Sequence, residues 1–280
     1  MKAFLGMGLL GSNFVTAMLR RNEEVQVWNR TFSKAAHLAA SGAKPFENPA
    51  DAVRNADIIH LTLKDDDSVN EVLDQALPAL KPGAIIIDHT TTSVAGATER
   101  TWSWKKKGFI YQHAPVFMGP ANALDGSGFM LVSGDQTLLE NLEKELSVMT
   151  GKLINFGSEP GRAAAMKLIG NCFLVGFTVA LGDALTLAKS LDAPLSDVDN
   201  LFSEWNPARS LTARINRISQ DDFSQPSWEL NMARKDTWLF LQAAGNHLEI
   251  IPTIASLMDR WITKGFGNHD WTVIASSERK

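Results

Sequence analysis

Short apolar runs recur through the first half of the chain, separated by stretches whose apolar positions keep a helical spacing. The runs lie at 2–5, 25–28, 57–63, 84–88, 109–112, 129–132 and 152–156, with helical stretches at 12–21, 33–41, 67–76 and 94–107. Such alternation predicts an α/β layer on a mostly parallel sheet, punctuated at Pro49, Pro78 and Pro82-Gly83. Past Gly157 the pattern changes. Pro160-Gly161 opens a proline-free run over 162–191 whose only charge between Arg162 and Asp183 is Lys167. A helix apolar on every side is buried or sandwiched, and this one would reach ~45 Å. Its glycines, Gly170, Gly176 and Gly182, cost helix propensity and make sense where another helix comes close. Further helices are predicted at 195–204, at 226–244 ended by Gly245, and at 252–264 ended by Gly265. No strand is expected after residue 160. The expected architecture is an α/β domain over 1–160 and an all-α domain over 161–280, joined by the long helix.

Composition narrows the partners. The 27 basic and 31 acidic side chains give a net charge of −4, which disfavours a nucleic-acid-coating surface. One cysteine, Cys172, excludes an internal disulfide and a cysteine-based zinc site. The longest uncharged apolar stretch, 168–182, falls short of the ~20 residues that span a bilayer, and the opening MKAFLGMGLLG reads as a strand rather than a leader. A reduced, cytoplasmic protein that binds neither nucleic acid nor membrane is expected. Its apolar long helix calls for cover by a second copy, giving a homodimer, with a homotetramer as the larger alternative.

The chemistry starts at Gly6, Gly8 and Gly11. This G-x-G-x-x-G follows the first strand and opens a helix, the context that distinguishes a dinucleotide fingerprint from a plain glycine turn. Gly6 permits the tight turn, Gly8 lets backbone approach a pyrophosphate, and Gly11 lets the helix lie close to the sheet. Met7, Leu9 and Leu10 complete the turn, and the free N–H groups of the helix start receive the phosphates. The domain is thus expected to be Rossmann-type. At the tip of the second strand, where an acid would bind the ribose of NAD, the chain reads Trp28-Asn29-Arg30-Thr31. Arg30, with Asn29, Thr31 and Lys34, suits a 2′-phosphate. The cofactor expected is NADP, with NADPH preferred over NADH; the plainer reading of Arg30 and Lys34 is a pair of solvated loop cations.

Lys167 is the second focus. Asn171, four residues on, projects about 40° away on the same helix face. An ammonium near an apolar cleft has a lowered pKa, as a proton donor or acceptor requires. A lysine snorkelling to solvent is the competing reading; the dinucleotide domain upstream favours chemistry.

With these residues in view, the whole chain resembles the β-hydroxyacid dehydrogenases, the family of 3-hydroxyisobutyrate dehydrogenase, with a 6-phosphogluconate dehydrogenase-type NADP-binding domain. Asp88-His89-Thr90-Thr91 is similar to the family's D-x-S-T segment, which implies that Thr91 lies near the nicotinamide. Leu63, Lys64 and Val69 fall where the family lines the adenosine side. Gly161 to Asn171 resembles G-x-G-x-x-x-K-x-x-N-N, which implies Lys167 and Asn171 as catalytic and substrate-contacting residues. Lys235-Asp236 resembles a K-D pair whose lysine approaches cofactor and substrate. The family's substrate loop, D-A-P-V-S-G-G, reads His113-Ala114-Pro115-Val116-Phe117-Met118-Gly119 here. Phe117, Met118 and Gly119 are therefore the implied substrate contacts, bulkier and less polar than the serine and glycine they replace. Ala163 and Gly170 also depart from the lysine motif.

The implied activity is an NADP-dependent reductase, reversible as a dehydrogenase, acting on a small carbonyl compound or its alcohol. Short 3-hydroxy acids and aldehyde acids lead among the substrates. Two alternatives compete: an imine reductase or reductive aminase, favoured by Phe117-Met118 and disfavoured by Lys167, and an NADP-binding module without turnover. The six histidines show no metal-ligand spacing. Asp65-Asp66-Asp67 reads as a solvated helix start, and Trp102 and Trp104 with Lys105–Lys107 as a cationic helix end.

Overall fold

A computed structural model describes residues 1–276. In the first part, strands and helices alternate: β1 (Lys2–Leu5), α1 (Leu9–Arg20), β2 (Val25–Trp28), α2 (Phe32–Ala36), β3 (Lys44–Phe46), α3 (Pro49–Val53), β4 (Ile58–Leu61), α4 (Asp66–Ala76), β5 (Ile85–Asp88), α5 (Val94–Lys106) and β6 (Ile110–His113). Six parallel strands form one sheet in the order β3-β2-β1-β4-β5-β6. Helices cover both faces, so neighbouring residues of one strand serve different cores. Ala3 and Leu5 of β1 join Ile59 and Leu61 in one cluster, while Phe4 joins Val27 and Ile87 in the other. This double burial explains why the central strands read as unbroken apolar runs. The chain winds from β1 to β3 on one side and returns to β4 on the other. Strand order therefore reverses between β1 and β4, where doubly wound sheets bind ligands at their carboxyl ends.

The remaining strands, β7 (Val116–Phe117), β8 (Phe129–Val132) and β9 (Lys152–Asn155), do not extend that sheet. They form a separate one with α6 (Pro120–Asp125) and α7 (Gln136–Ser147) as connections; β7 pairs antiparallel to β8, and β8 parallel to β9. Only Ala114 and Pro115 separate β6 from β7. A parallel crossover needs a dozen residues or more, so the chain starts a new sheet.

Two imidazoles lie inside the first core. His60 and His89 stack with ring centroids 5.4 Å apart, against Phe4 and Phe14. His60 Nδ1 meets His89 Nε2 at 3.1 Å, His60 Nε2 meets Glu145 Oε1 at 3.2 Å, and His89 Nδ1 donates to the Ala114 carbonyl at 2.9 Å. Burial lowers both pKa values, that of His89 to about 3. Burial opposes ionisation of Glu145, yet His60 and the Lys2 ammonium at 2.6 Å hold it at about 2.

α8 (Arg162–Ser190) follows; its 29 residues extend about 44 Å. The chain forms two compact units, Met1–Asn171 and the part from Cys172 on, so the division falls inside α8. The second unit adds α9 (Leu195–Glu204), α10 (Leu211–Gln220), α11 (Leu230–Ala244) and α12 (Ile251–Trp261). Its core gathers Phe223, Leu230, Met258 and Trp261. Among the described residues, its only strand-like pairing is an isolated bridge between Glu229 and Asp270. Asp183 of α8 accepts the N–H groups of Glu249, Ile250 and Ile251 at 2.7, 3.0 and 3.1 Å, anchoring the start of α12. By length and composition α8 is long and apolar enough to cross a membrane, and only 6% of its most apolar window is buried within the chain. Leu168, Ile169, Phe173, Leu174, Val175 and Phe177 are all exposed.

Candidate active site

The first strand ends in a turn fixed by the chain itself. Gly6 has φ +103°, and a methyl there would sit 2.2 Å from the Thr62 carbonyl oxygen. A methyl on Gly11 would fall 1.9 Å from the carbonyl oxygen of Gly6. Gly8 differs. Its φ of −80° suits any residue, and nothing lies within 4 Å of its missing Cβ. The folded chain has no use for a glycine at position 8; a ligand against the backbone has.

Around the turn opens a cleft of about 490 Å³. Gly6, Gly8, Leu9 and Leu10 form one wall, Asn29, Arg30, Thr31 and Lys34 a second, and Leu63 and Lys64 a third. Leu9 is 78% exposed above it. Asn29 is committed to the turn: its Oδ1 accepts the Met7 N–H and its Nδ2 donates to the Thr31 carbonyl, both at 2.9 Å. It shapes the loop, while Arg30, Thr31 and Lys34 line the cleft beside it. Among the described residues neither Arg30 nor Lys34 forms an ion pair, whereas Lys64 meets Asp65 at 3.2 Å. Two expected lining residues lie elsewhere. The Met7 side chain is buried, and Val69 is wholly enclosed in the core while its neighbours Ser68 and Val72 face the cleft. Val69 sits on the inward stripe of α4 with Leu73 and Ala76. An anionic dinucleotide fits the turn: the α1 start carries no acid and its first amides are free of side-chain caps.

The loop after β5 is braced from below. Thr90 Oγ1 accepts the Leu63 N–H at 2.9 Å, and the Thr90 N–H donates to Asp88 at 2.8 Å. Tyr111 donates to the other Asp88 oxygen at 2.5 Å and accepts from Arg100 at 2.9 Å. Burial, with Asp88 beside it, pushes the Tyr111 phenol well above its usual range. Arg100 continues to Asp66 at 2.7 Å, whose second oxygen takes the Ser93 N–H at 2.8 Å. Thr91 is left exposed on this braced loop. Sequence reasoning missed the network. Asp65 does cap α4, accepting from Ser68 at 2.9 Å, but Asp66 beside it is a structural anchor rather than a solvated charge.

Lys167 is 8% exposed on the second turn of α8, whose start is pinned where the Ala163 N–H meets Ser133 Oγ at 3.0 Å. Its ammonium donates to Asn171 Oδ1 at 3.1 Å and lies 4.1 Å from the centre of the Phe117 ring. No described carboxylate pairs with it, and burial holds its pKa below the usual lysine range. Phe117, at the end of β7, is followed by Met118 and Gly119, all partly exposed. Lys235 belongs to the second unit, on α11, where its exposed ammonium meets Asp236 at 2.8 Å.

A turn for phosphates at a switch point, with a buried lysine in the same unit that no described carboxylate neutralises, defines the class: an oxidoreductase working with a nicotinamide dinucleotide. A family model for the NAD binding domain of 6-phosphogluconate dehydrogenase matches residues 2–157, more than half of the chain. The chain belongs to that family, among the β-hydroxyacid dehydrogenases that its motifs resemble. It is similar to the 3-sulfolactaldehyde reductase of Escherichia coli strain K12, at 27% identity over 99% of this chain and 95% of the relative. Among solved structures, an imine reductase from Myxococcus stipitatus in complex with NADP+ matches with a TM-score of 0.86 at 22% identity, covering 98% of each chain. A reductive aminase from Aspergillus terreus in complex with NADPH4, cyclohexanone and allyl amine matches at 0.84 and 21%, covering 98% of this chain and 97% of that one. At such identities these two likenesses are of fold.

Proposed function

We propose that the protein is a cytoplasmic, NADPH-preferring reductase of small carbonyl compounds, reversible as an alcohol dehydrogenase, with Lys167 as proton donor. The observation that carries this reading is the Lys167 ammonium: buried, held by Asn171, and paired with no described carboxylate. When bound, the reduced cofactor supplies hydride to the carbonyl carbon. Lys167 holds the proton that the carbonyl oxygen takes as it becomes a hydroxyl, and its lowered pKa eases release. Asn171 fixes the ammonium's direction, leaving two N–H donors for a substrate oxygen. Arg30 and Lys34, with no acid at the β2 tip, support NADPH over NADH. By family resemblance Thr91 faces the nicotinamide, and Lys235 is the further lysine that such enzymes use near cofactor and substrate.

A homodimer through α8 belongs to the same reading. A methyl added at Gly176 or Gly182 would have nothing within 4 Å, although each glycine costs about 1 kcal/mol of helix propensity. A second copy packed along α8 supplies the close approach that these two glycines lack within the chain.

The test is an NADPH-oxidation screen over aldehyde acids, simple aldehydes and cyclic imines, with NADH in parallel, on the wild type, Lys167→Met and Arg30→Ala. Expected are carbonyl turnover, a loss in kcat of about 10²–10⁴-fold in Lys167→Met with NADPH binding kept, and an Arg30→Ala defect confined to NADPH. Normal turnover by Lys167→Met, or turnover of imines alone, overturns the reading.

A further inference from the structure

Phe117 lies between Lys167 and the backbone of α8, and its packing is tightly constrained. Its ring presents a face to Lys167 Nζ, 4.1 Å from the ring centre. Its tip presses on the backbone of α8: a methyl added to Gly170 would fall 2.3 Å from Cζ and 3.0 Å from Cε1. Ring and bare backbone are complementary, and together they remove any polar side chain from two positions beside the ammonium. The loop beyond offers little in exchange, since the Gly119 N–H is taken by Asn122 Oδ1 at 2.9 Å. The nearest other cation of α8, Arg162, is turned to Glu159 in an exposed ion pair.

Resting on the reductase reading above, we infer that Phe117 sets the substrate class: an uncharged aldehyde or ketone with an apolar substituent, not a short aldehyde acid. The ring covers one face of the ammonium with a cation–π contact, so the face that an anion would pair with holds an apolar surface instead. A carboxylate entering here meets an ammonium already held by Asn171 and faced by the Phe117 ring, and gives up hydration against an apolar surface. An alkyl or aryl substituent loses nothing and packs on the ring. The arrangement also fits the proton's part. An anion beside Lys167 would raise its pKa, against the lowering that burial produces.

The experiment compares pentanal with 5-oxopentanoate, equal in length and differing in the terminal carboxylate, in the NADPH-loaded wild type, Phe117→Ser and Phe117→Leu. The wild type is expected to favour pentanal in kcat/KM by about ten-fold or more, Phe117→Leu to keep that preference, and Phe117→Ser to erase most of it. Calorimetry on the NADP+-loaded wild type with pentanamide and pentanoate gives a readout free of turnover, with the amide binding about five-fold or more tighter. Preference for the anion in either assay, or an unchanged ratio in Phe117→Ser, overturns the inference. Tighter binding of the amide with neither aldehyde reduced overturns the reductase reading alone.

Discussion

Replacing Gly8 and Gly11 with alanine, one at a time, separates a ligand's demand from the fold's. At Gly11 the new methyl would lie 1.9 Å from the Gly6 carbonyl oxygen and 3.2 Å from the Phe4 ring. Backbone must move by about an ångström to admit it, a strain of about 3 kcal/mol at the upper end of overpacking costs. In a chain of this size that lowers Tm by about 6–12 °C. At Gly8 the backbone stands at φ −80°, ψ −166°, with no atom within 4 Å of the methyl. Alanine is unstrained there, and stability should hold within about 0.5 kcal/mol. The methyl does stand where a pyrophosphate would approach the turn. NADPH affinity should fall about 10–100-fold, equivalent to about 1.4–2.8 kcal/mol. Thermal unfolding without ligand and fluorescence titration with NADPH measure the two effects. A Gly8→Ala protein as unstable as Gly11→Ala, or one binding NADPH like the wild type, would contradict a glycine kept at position 8 for the ligand.

The wild type should sediment as a dimer or larger at micromolar concentration. Charging the stacked, exposed pair of α8 with Phe173→Lys and Phe177→Lys should weaken association at least about 100-fold, since burying each phenylalanine contributes about 1.5–3 kcal/mol; a monomeric wild type sinks the idea. For pH, the sign follows from the histidines. His89 stays neutral in the fold down to about 3 but binds a proton near 6.5 once unfolded, so the unfolded state gains protons first and stability falls below pH 6.5. Between pH 8 and pH 5 His89 alone removes about 2 kcal/mol. His60 and His113 shift in the same direction, and loss of the Glu145 contribution follows below pH 4.5. Urea unfolding at the two pH values measures the loss. A flat profile contradicts the buried, neutral imidazoles, and His89→Asn should flatten the slope in part.

What the sequence disclosed tracks how local its cause is. The glycine turn, the long helix and the Lys167–Asn171 pair each depend on spacing along a short stretch of chain, so they are legible in the residues themselves. β3 is not: it has three residues, one of them Pro45, and survives only because it lies at the sheet edge. β7, two residues long, owes its existence to β8 rather than to any run of its own. α3 and α6 are single turns opened by proline, too short for periodicity. The Asp88–Tyr111–Arg100–Asp66 brace and the His60–His89–Glu145 stack join residues far apart in the chain, which only the folded sheet brings together. Phe117 was visible as an oddity in the substrate loop. Its fit to the missing side chain of Gly170 exists only where loop and helix meet in space.

Glycines give one rule that ties site to assembly. Where a missing Cβ is crowded, the chain explains its own glycine: Thr62 explains Gly6, the turn explains Gly11, and Phe117 explains Gly170. Where the space is open and φ is ordinary, the residue costs chain entropy and helix propensity without a return inside the protein. Gly8 is such a residue at the mouth of the cleft, and Gly176 and Gly182 are two more along α8. The same absence of internal cause points outward in both places, to a phosphate at the first and to the backbone of another helix at the second. The two differ in what alanine should do. At Gly8 it costs ligand and leaves the fold; at Gly176 or Gly182 it favours the isolated helix by about 1 kcal/mol each and opposes whatever packs against it.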